Sequence, residues 1–370
     1  MATTGRPAAE RPDVDALAAT LGEADFVHLV SHADGDAIAA AGLLATALGT
    51  DTPYQVSTAR TRAAADRRLG TTDDATVALG FDATDADVSL VADSVALAAY
   101  DVATTIGDGD PVLALAGALA AGVVPQGPVL DAAAEAGVER RSGVGLPTAD
   151  LADGLAHSRL FHAGFSGQEG QAGAFLADLD LPADLDEAAH ERVASAVALD
   201  ATEPPAPPRA ADAIEAALRP HVLPDGPFET AEGYGDVLDA LARTAPGLAT
   251  TLAVGRFDRA GVLDAWRDHA AAVHAAVRMA ERSRHQGLVV LETEGADTWT
   301  VARLARDFRS AEPAVLVVGD DVALATTDRN AREILADAGD PDAMGGRDRL
   351  ASAGPAADVD AIVRSLTEDP

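Results

Sequence analysis

The chain of 370 residues has no cysteine, which excludes a disulfide framework, thiolate catalysis and cysteine-bound zinc. It has no lysine either. All 27 basic residues are arginine, set against 60 Asp and Glu for a formal net charge of −33. A surface of that sign repels polyanions over most of its area. In molar salt, however, screening shortens to about 3 Å, and dense carboxylates that hold water and counterions are what a protein solvated in very high salt displays. The composition points to an extreme halophile, and in such salt the net charge does not argue against nucleic acid. No run of about 18 uninterrupted apolar residues occurs, and residues 1–22 are polar and acidic, without the apolar core of a signal peptide. The expectation is a soluble cytoplasmic protein that makes no use of a membrane. Histidine is missing from one long stretch: none stands between His32 and His157.

What is present reads as α/β. The length exceeds the usual size of one hydrophobic core and predicts two domains. Short apolar runs alternate with alanine-rich helical stretches, the pattern of a parallel sheet with crossover helices. Residues 26–30 read as a buried strand, 39–48 as the helix after it, and 77–81 as a second strand ending at Asp82. Residues 112–119 are small and apolar and read as a buried helix. The proline-rich stretch 203–208 can neither continue a helix nor donate to a sheet ladder, so it marks a connection. The resulting division is an N-terminal domain at 1–202, a connection at 203–230 and a smaller α/β domain at 231–370. That last domain has strands at 288–291 and 314–318 and a helix at 300–308. No internal repeat of 20 to 50 residues stands out.

The segment with chemistry is strand, then His32-x-Asp34-x-Asp36, then helix. Residues at the carboxyl end of a parallel strand face the crevice where such sheets bind ligands, and imidazole plus carboxylates suits Mn or Mg. The plainer reading is that these are turn and helix-capping aspartates. Asp-x-Asp recurs at 13/15, 85/87, 108/110, 178/180 and 358/360, so in this chain the pattern is cheap.

Residues 30–44 resemble the opening motif of the DHH phosphoesterase family, RecJ-type single-strand nucleases and their archaeal relatives, with Ala37 where a glycine is customary. Phe81-Asp82 is similar to the second motif, a strand closed by an Asp that bridges two metals. Residues 232–243 are similar to the segment that opens the second domain, normally ending in Asn-Ala-x-Gly-Arg. Residues 344–354 resemble the Gly-Gly-His substrate loop, with Arg347 at the His position. The resemblance implies two domains facing each other across a cleft. It also implies metal ligation (Mn or Mg) by His32, Asp34, Asp36 and Asp82, and nucleic-acid contact through Gly345, Gly346, Arg347 and Arg349. The plain alternative for that last group is a turn with exposed arginines. The family's Asp-His-His motif should follow Asp82 within a few tens of residues, yet residues 84–121 contain no histidine. Residues 116–122, at the fourth motif, carry no carboxylate. His32, Asp34 and Asp82 would keep one metal, while Asp36 and Asp82 are left alone at the other. Two-metal hydrolysis needs both ions, so hydrolysis at ordinary rates is not expected.

Other charged groups have a double reading. Arg60, Arg62, Arg67, Arg68 and Arg303, Arg306, Arg309 would suit a single-strand backbone or ion pairs with the surplus carboxylates. For Arg303 and Arg306 the ion pairs are favoured. His157, His162, His190, His269 and His274 read as structural or surface residues, with His157 the one substitute metal ligand. By resemblance, the expected function is that of a non-catalytic replication or repair factor, like the RecJ-derived subunit of the replicative helicase. Such a factor would bind single-stranded nucleic acid, or GINS, MCM or a single-strand binding protein. The alternatives are an active Mn-dependent single-strand exonuclease or a small-nucleotide phosphodiesterase, with Asp36 and Asp82 catalytic.

Overall fold

Four short runs, β1 (Val27–His32), β2 (Tyr54–Ala59), β3 (Ala75–Leu79) and β4 (Val88–Leu90), form a parallel sheet in the order β2-β1-β3-β4. The computed structural model describes residues 14–70, 74–339, 342 and 344–367; most of the polar N-terminal stretch, residues 1–13, lies outside them. All six residues of central β1 are buried, so its polar members need partners inside the fold. His28 finds one in Ser57, Nε2 to Oγ 2.6 Å.

Helices α1 (Val14–Glu23), α2 (Gly35–Ala47), α3 (Arg62–Leu69), α4 (Val95–Ile106), α5 (Pro111–Ala120) and α6 (Pro128–Glu135) surround this sheet. A middle region follows: β5 (Glu139–Arg140), α7 (Leu151–His157), α8 (Glu169–Ala177), α9 (Glu187–Thr202), α10 (Ala210–Glu215) and β6 (His221–Val222). Then come α11 (Ala231–Thr244), α12 (Pro246–Ala253) and the long α13 (Arg259–Met279). The C-terminal part holds β7 (Glu281–His285), β8 (Leu288–Glu292), α14 (Thr298–Phe308), β9 (Ala314–Val318), β10 (Val322–Thr326), α15 (Ala331–Asp337), β11 (Met344–Arg347), β12 (Leu350–Ala353) and α16 (Val359–Thr367). Its six strands make a second, mixed sheet ordered β11-β12-β10-β9-β8-β7, in which only β8 and β9 pair in parallel. The architecture is thus α/β, a parallel-sheet domain and a separate C-terminal sheet domain. No helix among the described residues is long and apolar enough to cross a membrane.

The expected strands and helices at 26–30, 39–48, 77–81, 112–119, 288–291, 300–308 and 314–318 correspond to β1, α2, β3, α5, β8, α14 and β9. The domain division differs in detail. Residues 231–253, expected with the C-terminal domain, pack into the first core, where Val237, Leu238 and Leu241 of α11 join Ile38 and Leu43 of α2 and Leu113 of α5. The reason is side-chain placement: α11 is buried on nearly every face, and its neighbours are α5, α2, α12 and α13. Helix α13 then crosses between cores, with Val262, Leu263 and Trp266 in the first and Val273, Ala276 and Val277 in the second.

The first core is held by close approach of small residues. A Cβ on Gly117 of α5 would lie 2.5 Å from Ala96 Cβ and 2.7 Å from Ala39 Cβ, so α2, α4 and α5 meet at a point where only glycine fits. Gly247 of α12 has nothing within 4 Å of such a Cβ. Overpacking a tight core costs about 1–3 kcal/mol, whereas alanine for glycine on an open helix position gains up to about 1 kcal/mol. Denaturation at fixed KCl should therefore show Gly117→Val destabilised by about 1–3 kcal/mol or more, and Gly247→Ala unchanged or slightly stabilised.

Candidate functional site

The β1–α2 crossover positions the first motif. Asp34 is the N-cap of α2 in extended backbone (φ −141°, ψ 163°), and its Oδ1 accepts from Ala37 N at 2.8 Å. Its Oδ2 faces His32 Nδ1 at 2.8 Å. His32 Nε2 is buried and has no hydrogen-bond partner among the described residues. Gly35 N donates to Asp239 Oδ1 at 3.1 Å and Arg243 Nη1 to Ala33 O at 3.3 Å, so α11 clamps the loop from one side.

Asp36, 1 % exposed, uses every acceptor position it has. Oδ1 accepts from Ser94 Oγ (2.8 Å) and Ala96 N (3.0 Å), and Oδ2 from Val95 N (2.8 Å) and Arg347 Nη2 (3.0 Å). A carboxylate offers about four acceptor positions. Asp36 therefore serves as a cap on the first turn of α4, where the helix dipole favours negative charge, and its last position goes to a guanidinium. The Arg347 Nη2 also lies 3.9 Å from Asp34 Oδ2, and Nη1 donates to Ala121 O (3.0 Å) and Asp93 O (3.4 Å). Burial pushes the Asp34 carboxyl up, but His32 and Arg347 more than offset this and hold it well below the usual carboxylate range. At Asp36 burial prevails and the carboxyl is raised despite the pull of Arg347. Burial alone would lower the Arg347 guanidinium; Asp34, Asp36 and Asp239 raise it.

The sequence-derived site is thus only partly assembled. His32, Asp34 and Asp36 come together; Asp82 does not join them. Gly80 takes a positive φ of 80°, and the chain then sends Phe81 inward, its ring edge-on to His32 at 5.1 Å between centroids. Asp82 is exposed and faces a cleft of about 510 Å³ between the domains, with Arg62, Asn330, Arg332 and Asp348. Among the described residues no group of three or more His, Asp or Glu is arranged to hold a metal. The residues present do not fit a divalent centre: one carboxylate is saturated, a fixed cation lies between the two, and Asp82 is exposed at the neighbouring cleft.

The expected nucleic-acid loop is the β11–β12 hairpin. A Cβ on Gly345 would collide with Arg60 O and come within 2.8 Å of His32 Nε2, while Gly346 has φ 122° and lies against Leu350 O and Trp299. Gly345 answers to packing against the first motif and Gly346 to its positive φ and the close approach of Leu350 and Trp299. Arg347 turns into the pocket and Arg349 is exposed.

Most of the arginines weighed for a nucleic-acid track are engaged within the chain. Arg60 pairs with Asp321 (3.2 Å), Arg62 with Asp66 (3.7 Å), and Arg306 with Asp307 (2.6 Å). Arg303 donates to Arg159 O at 2.7 Å. His157 pairs with Asp153 at 3.0 Å on α7 and is no part of the first-motif pocket.

Residues that sequence reasoning did not single out complete the site. Ser94, in Asp93-Ser94-Val95, stands in the segment where Asp-His-His is expected; a serine ahead of an apolar helix is an N-cap signal. Asp236, Asp239 and Arg243 were legible only as part of a resembling segment. Buried Arg159 pairs with Asp236 (3.1 Å) and Asp239 (3.2 Å), and Arg243 with Asp297 (3.1 Å) while lying 4.9 Å over the Trp299 ring. His269 Nε2 accepts from Arg159 Nη1 at 3.4 Å. His274 Nε2 donates to Ser158 O (2.9 Å), and its Nδ1 accepts from His162 Nδ1 (3.0 Å).

These features define a class: a two-domain α/β protein whose His-x-Asp-x-Asp pocket is filled by an arginine from its C-terminal domain. CDC45 from Entamoeba histolytica matches with a TM-score of 0.57 at 8% identity, over 95% of this chain and 96% of that one, so the two share a fold. RecJ from Thermus thermophilus, solved with Mn2+ and also with Mg2+, aligns with TM-scores of 0.45 and 0.41 at 13% and 14% identity over 96% of this chain. The chain spans 55% and 52% of those RecJ chains. In sequence, a family model described as "Uncharacterized protein rrnAC1427, C-terminal domain" matches residues 280–368. The uncharacterized protein rrnAC1427 of Haloarcula marismortui is 47% identical over 356 residues, covering 94% of this chain and 95% of its own length. The chain belongs to the rrnAC1427 family.

Burial, together with Arg159, lowers His269 to about 4, and burial lowers His274 to about 3. Each is neutral in the folded chain and takes up a proton near pH 6.5 when unfolded. Between pH 6.5 and 4 the unfolded state therefore binds more protons, and stability falls as the pH falls. Each histidine contributes up to about 1.4 kcal/mol per pH unit in that window. Unfolding measured from pH 6.5 to 5, above the carboxylate range, should show this slope, and His269→Gln should reduce it.

Proposed function

We propose that the chain is a non-catalytic RecJ-like protein that acts in DNA replication or repair by binding single-stranded DNA, a replisome partner or both. The observation that carries the non-catalytic reading is the saturation of Asp36. A carboxylate that already accepts from Ser94, Val95, Ala96 and Arg347 has no lone pair for a metal-bound water or an attacking nucleophile. The exposure of Asp82, and the lack among the described residues of three or more such side chains placed to hold a metal, support the same reading. The fold shared with CDC45 and the resemblance of four segments to the DHH family support a role through binding. GINS, MCM and a single-strand binding protein are the proposed partners. A cytoplasm of very high salt is the proposed setting, in keeping with the charge of −33 and a relative from Haloarcula marismortui.

Incubated with Mn2+ in high KCl, the protein should leave 5′-labelled and 3′-labelled single strands and dinucleotides intact. Turnover that Asp36→Ala abolishes would overturn the proposal.

Affinity purification from the host at native salt should recover a GINS or MCM component or a single-strand binding protein. Bait alone, after crosslinking at native salt, speaks against the partner half of the reading.

A further inference from the structure

We infer that Arg347 has taken over the work of a metal ion: it is the resident cation of the first-motif pocket and the latch that closes the C-terminal hairpin onto the N-terminal domain. The inference concerns the pocket itself and stands whether or not the chain binds single strands.

The geometry and the charges support it together. Nη2 lies between the two motif carboxylates, 3.0 Å from Asp36 Oδ2 and 3.9 Å from Asp34 Oδ2, so one atom meets both charges as an ion would. Nη1 reaches Ala121 O, the C-cap of α5, at 3.0 Å and Asp93 O, just before α4, at 3.4 Å. One side chain from β11 therefore joins the heads of α2 and α4 and the tail of α5. The charges also balance. Two carboxylates face one guanidinium and the N-termini of α2 and α4, each of which carries roughly half a positive charge. A divalent ion added to this set would meet a guanidinium at contact distance. Finally, His32 is 2 % exposed and its Nε2 has no hydrogen-bond partner among the described residues. It faces the hairpin at Gly345, a metal-ligating nitrogen left facing the hairpin that brings in Arg347.

Arginine suits this duty for a physical reason. Its planar fork satisfies several acceptors at once and is always charged. Because it is covalently attached, its local concentration does not depend on the solution, so molar monovalent salt does not displace it by mass action. A bound divalent ion has no such protection, and a pocket closed by Arg347 stays closed without ion or substrate.

The test compares thermal unfolding of wild type, Arg347→Lys and Arg347→Ala at constant ionic strength, with EDTA or with millimolar MnCl2. Hydrogen exchange of the 344–353 hairpin is followed in parallel. Wild type should be indifferent to Mn2+. Arg347→Ala should melt lower, exchange its hairpin faster, and regain stability with Mn2+ but not with an equal ionic strength of K+. The two exposed carboxylates would hold the ion with water as the remaining ligands, as Mg2+-type sites do with one or two carboxylates. Arg347→Lys keeps a cation without the fork and should remain indifferent to Mn2+ while losing part of the hairpin protection. Equal Mn2+ stabilisation of wild type and Arg347→Ala would overturn the inference, as would an Arg347→Ala as stable as wild type or one that Mn2+ fails to restore. If Arg347→Ala does not fold in EDTA, folding on addition of Mn2+ supports the inference and its absence overturns it.

Discussion

Two carboxylates enter the protein at the β1–α2 crossover, and an interior of low dielectric does not tolerate them unless each is hydrogen-bonded and neutralised. Much of the surrounding arrangement answers that requirement. Helix α4 brings its first backbone N–H groups and Ser94 to Asp36. Helix α2 starts on Asp34, which spends its other oxygen on His32. Full neutralisation waits for Arg347, which arrives from more than three hundred residues later in the chain. The closure of the C-terminal domain is thus coupled to the burial of charge in the N-terminal one. Removing the arginine would leave two charges without their counter-ion, the situation in which breaking a buried pair is expensive.

A second buried network fixes how the two cores meet. Arg159 and Arg243, both essentially inaccessible, pair with Asp236, Asp239 and Asp297. Arg243 also reaches the carbonyl of Ala33 beside the first motif, and Asp239 holds Gly35. Helix α11 therefore transmits the position of α14, through Asp297 and the ring of Trp299, to the motif loop. With α13 spanning both cores, the relative placement of the two sheets is set by apolar packing and by directional ion pairs at once. Such pairs add little net stability against an apolar alternative, but they penalise any sliding of one core over the other.

The elements were legible in the sequence where a single local rule decided them. β1, β3, β8 and β9 are short apolar runs, and α5 shows its Asp110-Pro111 start and small apolar face. Placement in space was less legible. Residues 231–253 look like the opening of a second domain, yet α11 is buried on nearly every face, its charged residues paired inside the fold, and so belongs in the interior of the first. At the site, His32, Asp34 and Asp36 were found by spacing. The direction of Asp82 was not, because it depends on the positive φ at Gly80 and on which of two neighbours, Phe81 or Asp82, the pocket admits. In the sequence Arg347 reads as the departure from the resembling histidine, facing a ligand. That it turns inward depends on unpaired negative charge far away in the sequence, which no local pattern records.

The first motif then has a structural account that does not require catalysis. Asp34 caps α2, Asp36 caps α4, His32 gives Asp34 its hydrogen bond, and Gly35 leaves room for Asp239 N at 2.9 Å and Ala120 Cβ at 3.0 Å from a would-be Cβ. Every motif residue has structural work that its replacement would interrupt. Asp82 has no such task, being exposed. In such a pocket, the presence of metal-ligating residue types reports on the helices they cap. The cation that reaches those residues, here Arg347, determines what the pocket does.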